Sequence, residues 1–121
     1  MEAWELKWSS LIEYNATNAS NLAPELSGIY RLSFKSVDGN IYVFYVGKAE
    51  NLRIRLQQHL LILEPNQCIK KMLQQNTCYF RYARVDSEIV RNSAELALYK
   101  HYMPQCNSQI PEGPEIQINY E

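Results

Sequence analysis

The residues best suited to chemistry lie in the stretch 45–59, where an apolar run ends in a glycine turn and a basic, helix-forming segment follows. Gly47 supplies the backbone freedom that a tight exit from a strand requires, and Asn51 is a typical N-cap for the helix that would come next. Lys48 and Arg55 would then lie beside the end of one strand. Because cationic side chains gathered at such a turn bind phosphate well, this stretch predicts a phosphate site.

The distribution of charge agrees with an anionic partner better than the total charge does. The net charge is −1 at pH 7. Residues 28–107 nevertheless carry 11 Lys or Arg and 6 Asp or Glu, whereas residues 1–27 carry one against four and residues 108–121 none against three. A basic centre between acidic ends favours a polyanion such as nucleic acid. From charge alone, an ordinary solvated surface explains the pattern equally well.

Length and composition limit the class of protein. A chain of 121 residues is the size of one domain. It has no long uncharged apolar run, and its N-terminus does not resemble a secretory signal, so we expect a cytoplasmic protein that does not enter a membrane. The odd number of cysteines, without paired spacing, predicts reduced thiols and no zinc site. The residues concerned are Cys68, Cys78, Cys106, His59 and His101.

The N-terminal part of the chain has a helical pattern. Apolar residues recur at helical spacing over 3–14, which predicts a helix that packs on the domain. These residues are Trp4, Trp8, Leu11 and Ile12. The alternative is an exposed pair of tryptophans that stacks on bases or on a partner protein. Residues 15–27 are polar and contain a proline, which indicates a linker.

Residues 28–35 and 41–47 predict a β-hairpin, because both runs are rich in β-branched and aromatic residues and Asp38-Gly39-Asn40 separates them. A two-residue turn would place six residues on one face of the hairpin: Tyr30, Leu32, Phe34, Ile41, Val43 and Tyr45. A three-residue turn would break this parity. The sequence does not decide between the two turns.

Three helices and one strand follow the hairpin. We expect helices over 51–63, 65–75 and 87–103, and a strand over 77–85 whose two arginines indicate an exposed sheet edge. The buried stripe of the first helix would be Leu52, Leu56, Leu60 and Leu63. The acidic tail 108–121 would lie as a strap over the domain or be partly loose.

Further basic residues extend the predicted phosphate site. Arg53 lies on the opposite flank of its helix from Arg55, and periodicity does not say which of the two faces the strand end. Lys70 and Lys71 form either a solvated face or a contact with a phosphate backbone. The candidate nucleic-acid-binding residues are therefore Gly47, Lys48, Arg53, Arg55, Lys70 and Lys71.

The order of several short motifs resembles the GIY-YIG nuclease family, and within it the bacterial excision-repair branch. The motifs are Gly28-Ile29-Tyr30, then Tyr45-Val46-Gly47-Lys48, then Arg55 and His59, then Glu95, then Asn107. Each motif alone is a weak signal, but five in this order are specific together. The valine in the second motif is a conservative departure, and the hairpin is a few residues longer than is commonest. Neither departure removes a catalytic group.

The resemblance implies both a fold and an activity. The fold would be α+β, with a small central three-stranded antiparallel sheet flanked by helices, and residues 28–107 would form the nuclease domain. The activity would be DNA endonuclease cleavage by a one-metal mechanism, with Mg²⁺ or Mn²⁺ held by Glu95 as the sole protein ligand. Cleavage would be structure-selective or non-specific. A double-strand cut would need either a homodimer or a second binding event on the opposite strand. The resemblance does not decide whether a protein partner takes part.

The resemblance also implies a role for each remaining motif residue. Tyr30 or Tyr45 would orient or deprotonate the attacking water, and we favour Tyr30, with Lys48 as the cation that makes a tyrosine effective at neutral pH. Arg55 would clamp the phosphate. The last two roles fall to His59, bonding substrate or a tyrosine hydroxyl, and Asn107, holding the site together.

Plainer interpretations exist for the same residues. Glu95 could complete a capping box that begins at Asn92, and Tyr30 and Tyr45 could be ordinary sheet aromatics. For the whole chain, the first alternative is a catalytically weak nucleic-acid-binding or regulatory module on the same fold. The second is an unrelated interaction protein built around the two N-terminal tryptophans.

Overall fold

The computed structural model describes residues 1–121 and contains six strands and four helices. In chain order they are β1 (Glu2–Trp4), β2 (Ile12–Glu13), α1 (Ala16–Leu22), β3 (Gly28–Lys35), β4 (Ile41–Ala49), α2 (Leu52–His59), α3 (Gln67–Gln75), β5 (Cys78–Arg84), α4 (Glu88–Tyr102) and β6 (Ile116–Ile118). The predicted α+β class is confirmed.

The central sheet is antiparallel and has four strands in the order β2-β5-β3-β4. The prediction of three strands missed β2, which pairs through Ile12 with Phe80 and through Glu13 with Tyr79. The expectation that β5 forms an exposed edge is wrong for the same reason, because β2 covers it. A further bridge joins Trp8 to Ala83.

A three-residue turn closes the β3–β4 hairpin. The Ser36 N–H bonds to the Asn40 carbonyl, and the Gly39 N–H bonds to the Ser36 carbonyl. Gly39 has φ 86°, a conformation that glycine adopts without strain. Next to this turn, the strands pair in a register that differs by one residue from the register of a two-residue turn. A bulge between Leu32 and Ser33 shifts the pairing back by one residue, so the expected register is restored near Gly47.

The bulge decides which side chains of β4 share a face. At the end of the hairpin near Gly47, Tyr30 and Leu32 share a face of the sheet with Tyr45, as expected. Beyond the bulge Phe44 joins the same core cluster as Leu32, while Val43 packs against the opposite one. The predicted common face is therefore wrong at the turn end of β4, because one extra residue reverses the alternation of side chains.

Side-chain caps define the helices. As predicted, Asn51 caps α2, its side chain accepting from the Ile54 N–H. The helix ends at His59 rather than at residue 63, because the chain turns tightly through Leu60, and Leu63 is 88 % exposed. In the predicted buried stripe, Leu52 and Leu56 are buried and Leu60 packs against the same cluster while partly buried, so the prediction is wrong at Leu63.

The last two helices were predicted within two residues at each end. Ser87 caps α4, and Met103 ends it in the left-handed conformation directly before the proline at 104. Asn92 lies inside α4, so the capping-box interpretation of Glu95 is wrong.

The N-terminal segment is extended, so the predicted helix over 3–14 is wrong. β1 pairs in parallel with β6, the strand of the acidic tail. The Asn119 side chain bonds to both the N–H and the carbonyl of Leu6, and the Trp8 indole donates to the Asn119 carbonyl. These long-range bonds outweigh a helical spacing that only four apolar residues supported. The predicted linker also contains a helix, α1, which Asn15 caps.

The sheet separates two apolar clusters. One contains Tyr30, Leu32 and Phe80, and the other contains Ile29 and Ala83, so successive residues of β3 point to opposite faces. The helix α4 packs on the second face through Val90, Ala94 and Leu98.

The cysteines differ from expectation. Cys68 on α3 and Cys106 after α4 form a disulfide, whereas Cys78 is free and buried. The prediction of three reduced thiols is therefore wrong for two of them, which are 38 residues apart in sequence but adjacent in the fold. No helix of the structure has the length and apolar character needed to cross a membrane.

Candidate active site

A polar cleft of about 620 Å³ opens beside β4, between α4 and the segment that follows it. Its walls bring together four residues that the sequence had singled out, Tyr45, Lys48, Glu95 and Asn107. Asn66 and Asn92 complete the inner wall, and residues 108–112 of the tail form the outer one. The strand end, the helix and the tail thus meet at one place.

The charged centre of the cleft is a lysine–carboxylate pair. Lys48 Nζ donates to Asn92 Oδ1 at 2.6 Å and lies 4.0 Å from Glu95 Oε1. Asn92 and Glu95 are one turn apart on α4, so both side chains face β4. The Glu95 side chain is only 14 % exposed. Burial raises the pKa of Glu95, and the nearby Lys48 offsets part of this rise.

Asn107 connects the segment after α4 to the edge strand β4. Its Oδ1 accepts from the Val46 N–H at 2.9 Å, and its Nδ2 donates to the Val46 carbonyl at 2.9 Å. One residue earlier, the Cys106 N–H donates to the Phe44 carbonyl. The side chain therefore completes the pairing of a strand edge, which holds the outer part of the cleft against the sheet.

A second layer of side chains lies beneath the cleft. The Tyr30 side chain is completely buried, and its hydroxyl lies 2.6 Å from Nε2 of the buried His59. Gly47 permits this arrangement, because a Cβ at that position would stand 2.4 Å from the Tyr30 hydroxyl oxygen. The Tyr45 ring packs against the rings of both His59 and Tyr30, with centroid distances of 5.3 Å and 6.2 Å respectively.

The two tyrosines are not equivalent. Tyr45 is half-buried and lines the cleft, whereas Tyr30 does not reach it. Burial raises the pKa of Tyr30 well above its usual range, and burial likewise raises the pKa of Tyr45, with Arg55 opposing both shifts. Lys48, which we had expected to influence a tyrosine, is instead engaged with Asn92. Arg55 is the cation beside the tyrosines.

Glu64 is a buried residue of this layer that the motifs do not include. It is 4 % exposed, and its Oε2 lies 3.2 Å from Nδ1 of His59. Its Oε1 accepts from the Asn66 N–H at 3.2 Å. The available sequence signal was weak: a single acid ends an apolar run and precedes Pro65.

The model of the UvrC-like GIY-YIG domain matches residues 26–108. The chain belongs to this family. Among curated relatives, the UvrABC system protein C of Rickettsia rickettsii (strain Sheila Smith) is 36 % identical over 85 residues, and that of Rickettsia canadensis (strain McKiel) 34 %. In each case the match covers 70 % of this chain and 12 % of the relative, so the chain spans about an eighth of the relatives' length.

Solved structures of a GIY-YIG domain agree with the fold. The N-terminal endonuclease domain of UvrC from Thermotoga maritima, bound to magnesium as its catalytic divalent cation, is 26 % identical with a TM-score of 0.58. The match covers 75 % of this chain and 92 % of that one. A point mutant of the same domain, also bound to its catalytic divalent cation, has a TM-score of 0.59 at 26 % identity, covering 78 % and 96 %. The interpretation of this chain as an unrelated interaction protein is thereby excluded.

The other basic residues of this GIY-YIG domain do not line the cleft. Arg53 donates to the Ala23 carbonyl at 2.8 Å and lies 3.8 Å from Glu25, so it holds the approach to β3. Lys70 donates to the Ile62 carbonyl at 2.7 Å, and Lys71 is exposed on α3. The structure brings Lys48 to the cleft and Arg55 to the tyrosines beside it, and leaves these three residues at the periphery.

The donor set of this GIY-YIG domain fits a hard divalent cation. No group of three or more His, Cys, Asp or Glu side chains is placed to hold a metal. The carboxylates that line the cleft are Glu95 on α4 and Glu112 on the tail. Mg²⁺ keeps several of its waters and binds proteins through one or two carboxylates together with substrate phosphates. A zinc centre, which takes several nitrogen or sulfur ligands, does not fit.

Proposed function

We propose that this chain is a metal-dependent endonuclease that hydrolyses phosphodiester bonds in DNA. The observation that carries the proposal is the placement of Glu95, Lys48, Tyr45 and Asn107 around one polar cleft, in a chain of the UvrC-like GIY-YIG family. The relatives are subunits of a UvrABC system, and the related crystal structure is an endonuclease domain with bound magnesium. Both facts support a DNA substrate and a role in repair.

Glu95 is the residue that would hold Mg²⁺ or Mn²⁺. When bound, such a cation polarises a phosphoryl oxygen and stabilises the developing charge. Lys48 lies 4.0 Å from the carboxylate, near enough to contact a phosphate that approaches Glu95. Asn92 orients the lysine by accepting from its ammonium group.

Tyr45 is the tyrosine that we assign to the attacking water. It lines the cleft together with Glu95, whereas Tyr30 is buried behind it. This placement supports Tyr45 for the role, although the sequence analysis favoured Tyr30. Arg55 lies beside its ring and opposes the rise in its pKa. A planar guanidinium also suits the clamping of a phosphate, which would be its second role.

The supporting residues keep these groups in place. His59 bonds to Tyr30 beneath the cleft, and Asn107 ties the segment after α4 to β4. We propose that residues 28–107 form the catalytic module, and that 1–27 and 108–121 are additions that pair with each other through β1 and β6. The family match over 26–108 supports this division.

One observation favours the alternative of a weak nuclease or regulatory module. Residues 108–112 form a wall of the cleft and bring the carboxylate of Glu112 to it. An acidic side chain at this place would repel a phosphate backbone and narrow the entrance to the cleft.

The same wall would also affect which substrates an active nuclease accepts. Substrates with a flexible single strand would enter the cleft more easily than intact duplex, which agrees with structure-selective cleavage.

Cleavage of labelled single-stranded, duplex, flap and branched DNA tests the proposal. We expect nicking with Mg²⁺ or Mn²⁺ that EDTA abolishes and that Glu95→Ala and Arg55→Ala each reduce at least about 100-fold. Glu88→Ala, on the exposed start of α4, is the matched control and should cleave normally. DNA binding without cleavage under all metal conditions would instead establish a binding or regulatory module. Cleavage that survives Glu95→Ala would refute the assignment of the metal ligand.

A further inference from the structure

Glu64 is a buried acid with two distinct contacts. Its Oε1 accepts from the backbone of Asn66 at the start of α3, which fixes the carboxylate group. Its Oε2 is then directed at Nδ1 of His59, 3.2 Å away. The approach departs from the ideal direction of an N–H bond, and Nδ1 has no other polar partner. The carboxylate therefore acts on the ring mainly through its charge.

The protonation of the His59 ring determines the direction of the hydrogen bond to Tyr30. Burial, together with the nearby Arg55, lowers the pKa of His59 to about 4, so the ring is neutral and carries one proton at neutral pH. A carboxylate oxygen can only accept. A lone pair on Nδ1 would face that oxygen unfavourably, whereas an N–H would be stabilised.

We propose that Glu64 is a positioning residue that holds His59 as the Nδ1–H tautomer, so that Tyr30 donates its hydroxyl proton to Nε2. The 2.6 Å distance between the Tyr30 oxygen and Nε2 is that of a strong hydrogen bond. With its proton committed to the histidine, the Tyr30 oxygen presents only lone pairs to its remaining neighbours. The buried layer then has one defined polarity, running from Tyr30 through His59 to Glu64.

The catalytic consequence rests on the proposed function. Tyr30 and His59 lie against the ring of Tyr45, the residue assigned to the attacking water. An arrangement with a fixed direction of hydrogen bonding holds that ring in a fixed electrostatic environment. A reversed histidine would turn the Tyr30 hydroxyl proton towards other neighbours.

The tautomer can be measured without substrate or metal. The chain contains two histidines, so long-range ¹H–¹⁵N spectra show two ring systems, and His101→Gln assigns them. We expect Nδ1 of His59 to have the shift of a protonated ring nitrogen and Nε2 that of an unprotonated one. A protonated Nε2 in the wild-type protein would overturn the proposal, even if every Glu64 variant failed to fold.

Glu64→Gln separates positioning from simple packing. The carboxamide keeps the size of the side chain and can donate to Nδ1, so the dominant tautomer of His59 should reverse. Glu50→Gln, at an exposed position, is the matched control and should leave both ring nitrogens unchanged. A stable Glu64→Gln protein with the wild-type tautomer would show that the residue only packs.

Activity supplies a separate readout. If the chain is a nuclease, Glu64→Gln should lower kcat on the order of 10- to 100-fold with KM unchanged, as for outer residues that orient catalytic groups. Glu64→Asp, which keeps an acceptor, should recover part of this loss. An inactive wild-type protein with the Nδ1–H tautomer would count against the proposed function and leave the positioning role of Glu64 supported.

Discussion

Gly47→Ala is the substitution for which the structure predicts an effect opposite in sign to the ordinary expectation. Replacing glycine by alanine in a strand usually stabilises a protein, by about 0.5–1 kcal/mol, because alanine has less backbone freedom to lose. Gly47 does not have a positive φ, so its backbone alone gives no reason for strain. The reason for strain is instead the close contact that an added Cβ would make with the Tyr30 side chain.

The size of the effect follows from the geometry. The added Cβ would lie 2.4 Å from Cζ and from the hydroxyl oxygen of Tyr30, more than about 1 Å inside an ordinary contact. The tyrosine cannot move away easily, because it is fully buried and bonded to His59. Overpacking of a rigid core costs about 1–3 kcal/mol. We therefore expect Gly47→Ala to lower the free energy of unfolding by at least about 1 kcal/mol.

Urea unfolding followed by circular dichroism measures this difference. The control is the same substitution in a Tyr30→Leu background, where the ring carbon and the hydroxyl are absent. There Gly47→Ala should be neutral or stabilising, giving a coupling energy of about 1–3 kcal/mol between the two positions. A Gly47→Ala protein as stable as the wild type, or an equal loss in both backgrounds, would refute the packing of Tyr30 beneath Gly47.

Three further predictions concern the residues around the site. Asn107→Ala should cost about 2 kcal/mol in urea unfolding, because it removes both bonds to the Val46 backbone; Asn21→Ala on the exposed face of α1 is the control, and equal small losses would contradict the role of Asn107. Because the pKa of His59 is lowered in the folded protein, the unfolded chain binds a proton at this histidine at a higher pH than the folded chain does. The free energy of unfolding should therefore keep its full contribution from His59 above pH 6.5 and fall by at most about 3 kcal/mol as the pH drops to about 4. His59→Gln should flatten that part of the pH profile, and an unchanged profile would show that His59 is not the group responsible. Reduction of the disulfide, whose cysteines are 38 residues apart, should lower the midpoint of unfolding and cost about 3–4 kcal/mol in the chain-entropy estimate; a reductant that leaves the midpoint unchanged would contradict the bond.

The sequence by itself determined the elements whose signals are local. The hairpin has β-branched and aromatic strands on either side of a glycine turn, and side chains such as Asn51 cap the helices. The end of α4 follows from the proline at 104. The spacing of the motifs also determined the family, because Glu95 and Asn107 must follow the hairpin at defined distances for one site to form.

Tertiary structure decided every feature that depends on distant partners. The N-terminal segment has a helical spacing of apolar residues, yet it is extended because β6, more than 100 residues away, pairs with it. The bulge at Leu32 reverses the faces of β4, which no local pattern records. The pairing of Cys68 with Cys106 likewise needs α3 and the end of α4 to meet.

The same division holds within the site. The motifs named both tyrosines, but only packing shows that Tyr30 is buried and that Tyr45 reaches the cleft. Glu64 carries no motif, and its effect on His59 arises because the chain turns sharply after α2 and directs the carboxylate inward. Residue types and spacing determine which chemistry is available, whereas burial and contact determine which side chain can perform it, because both depend on neighbours that are remote in sequence.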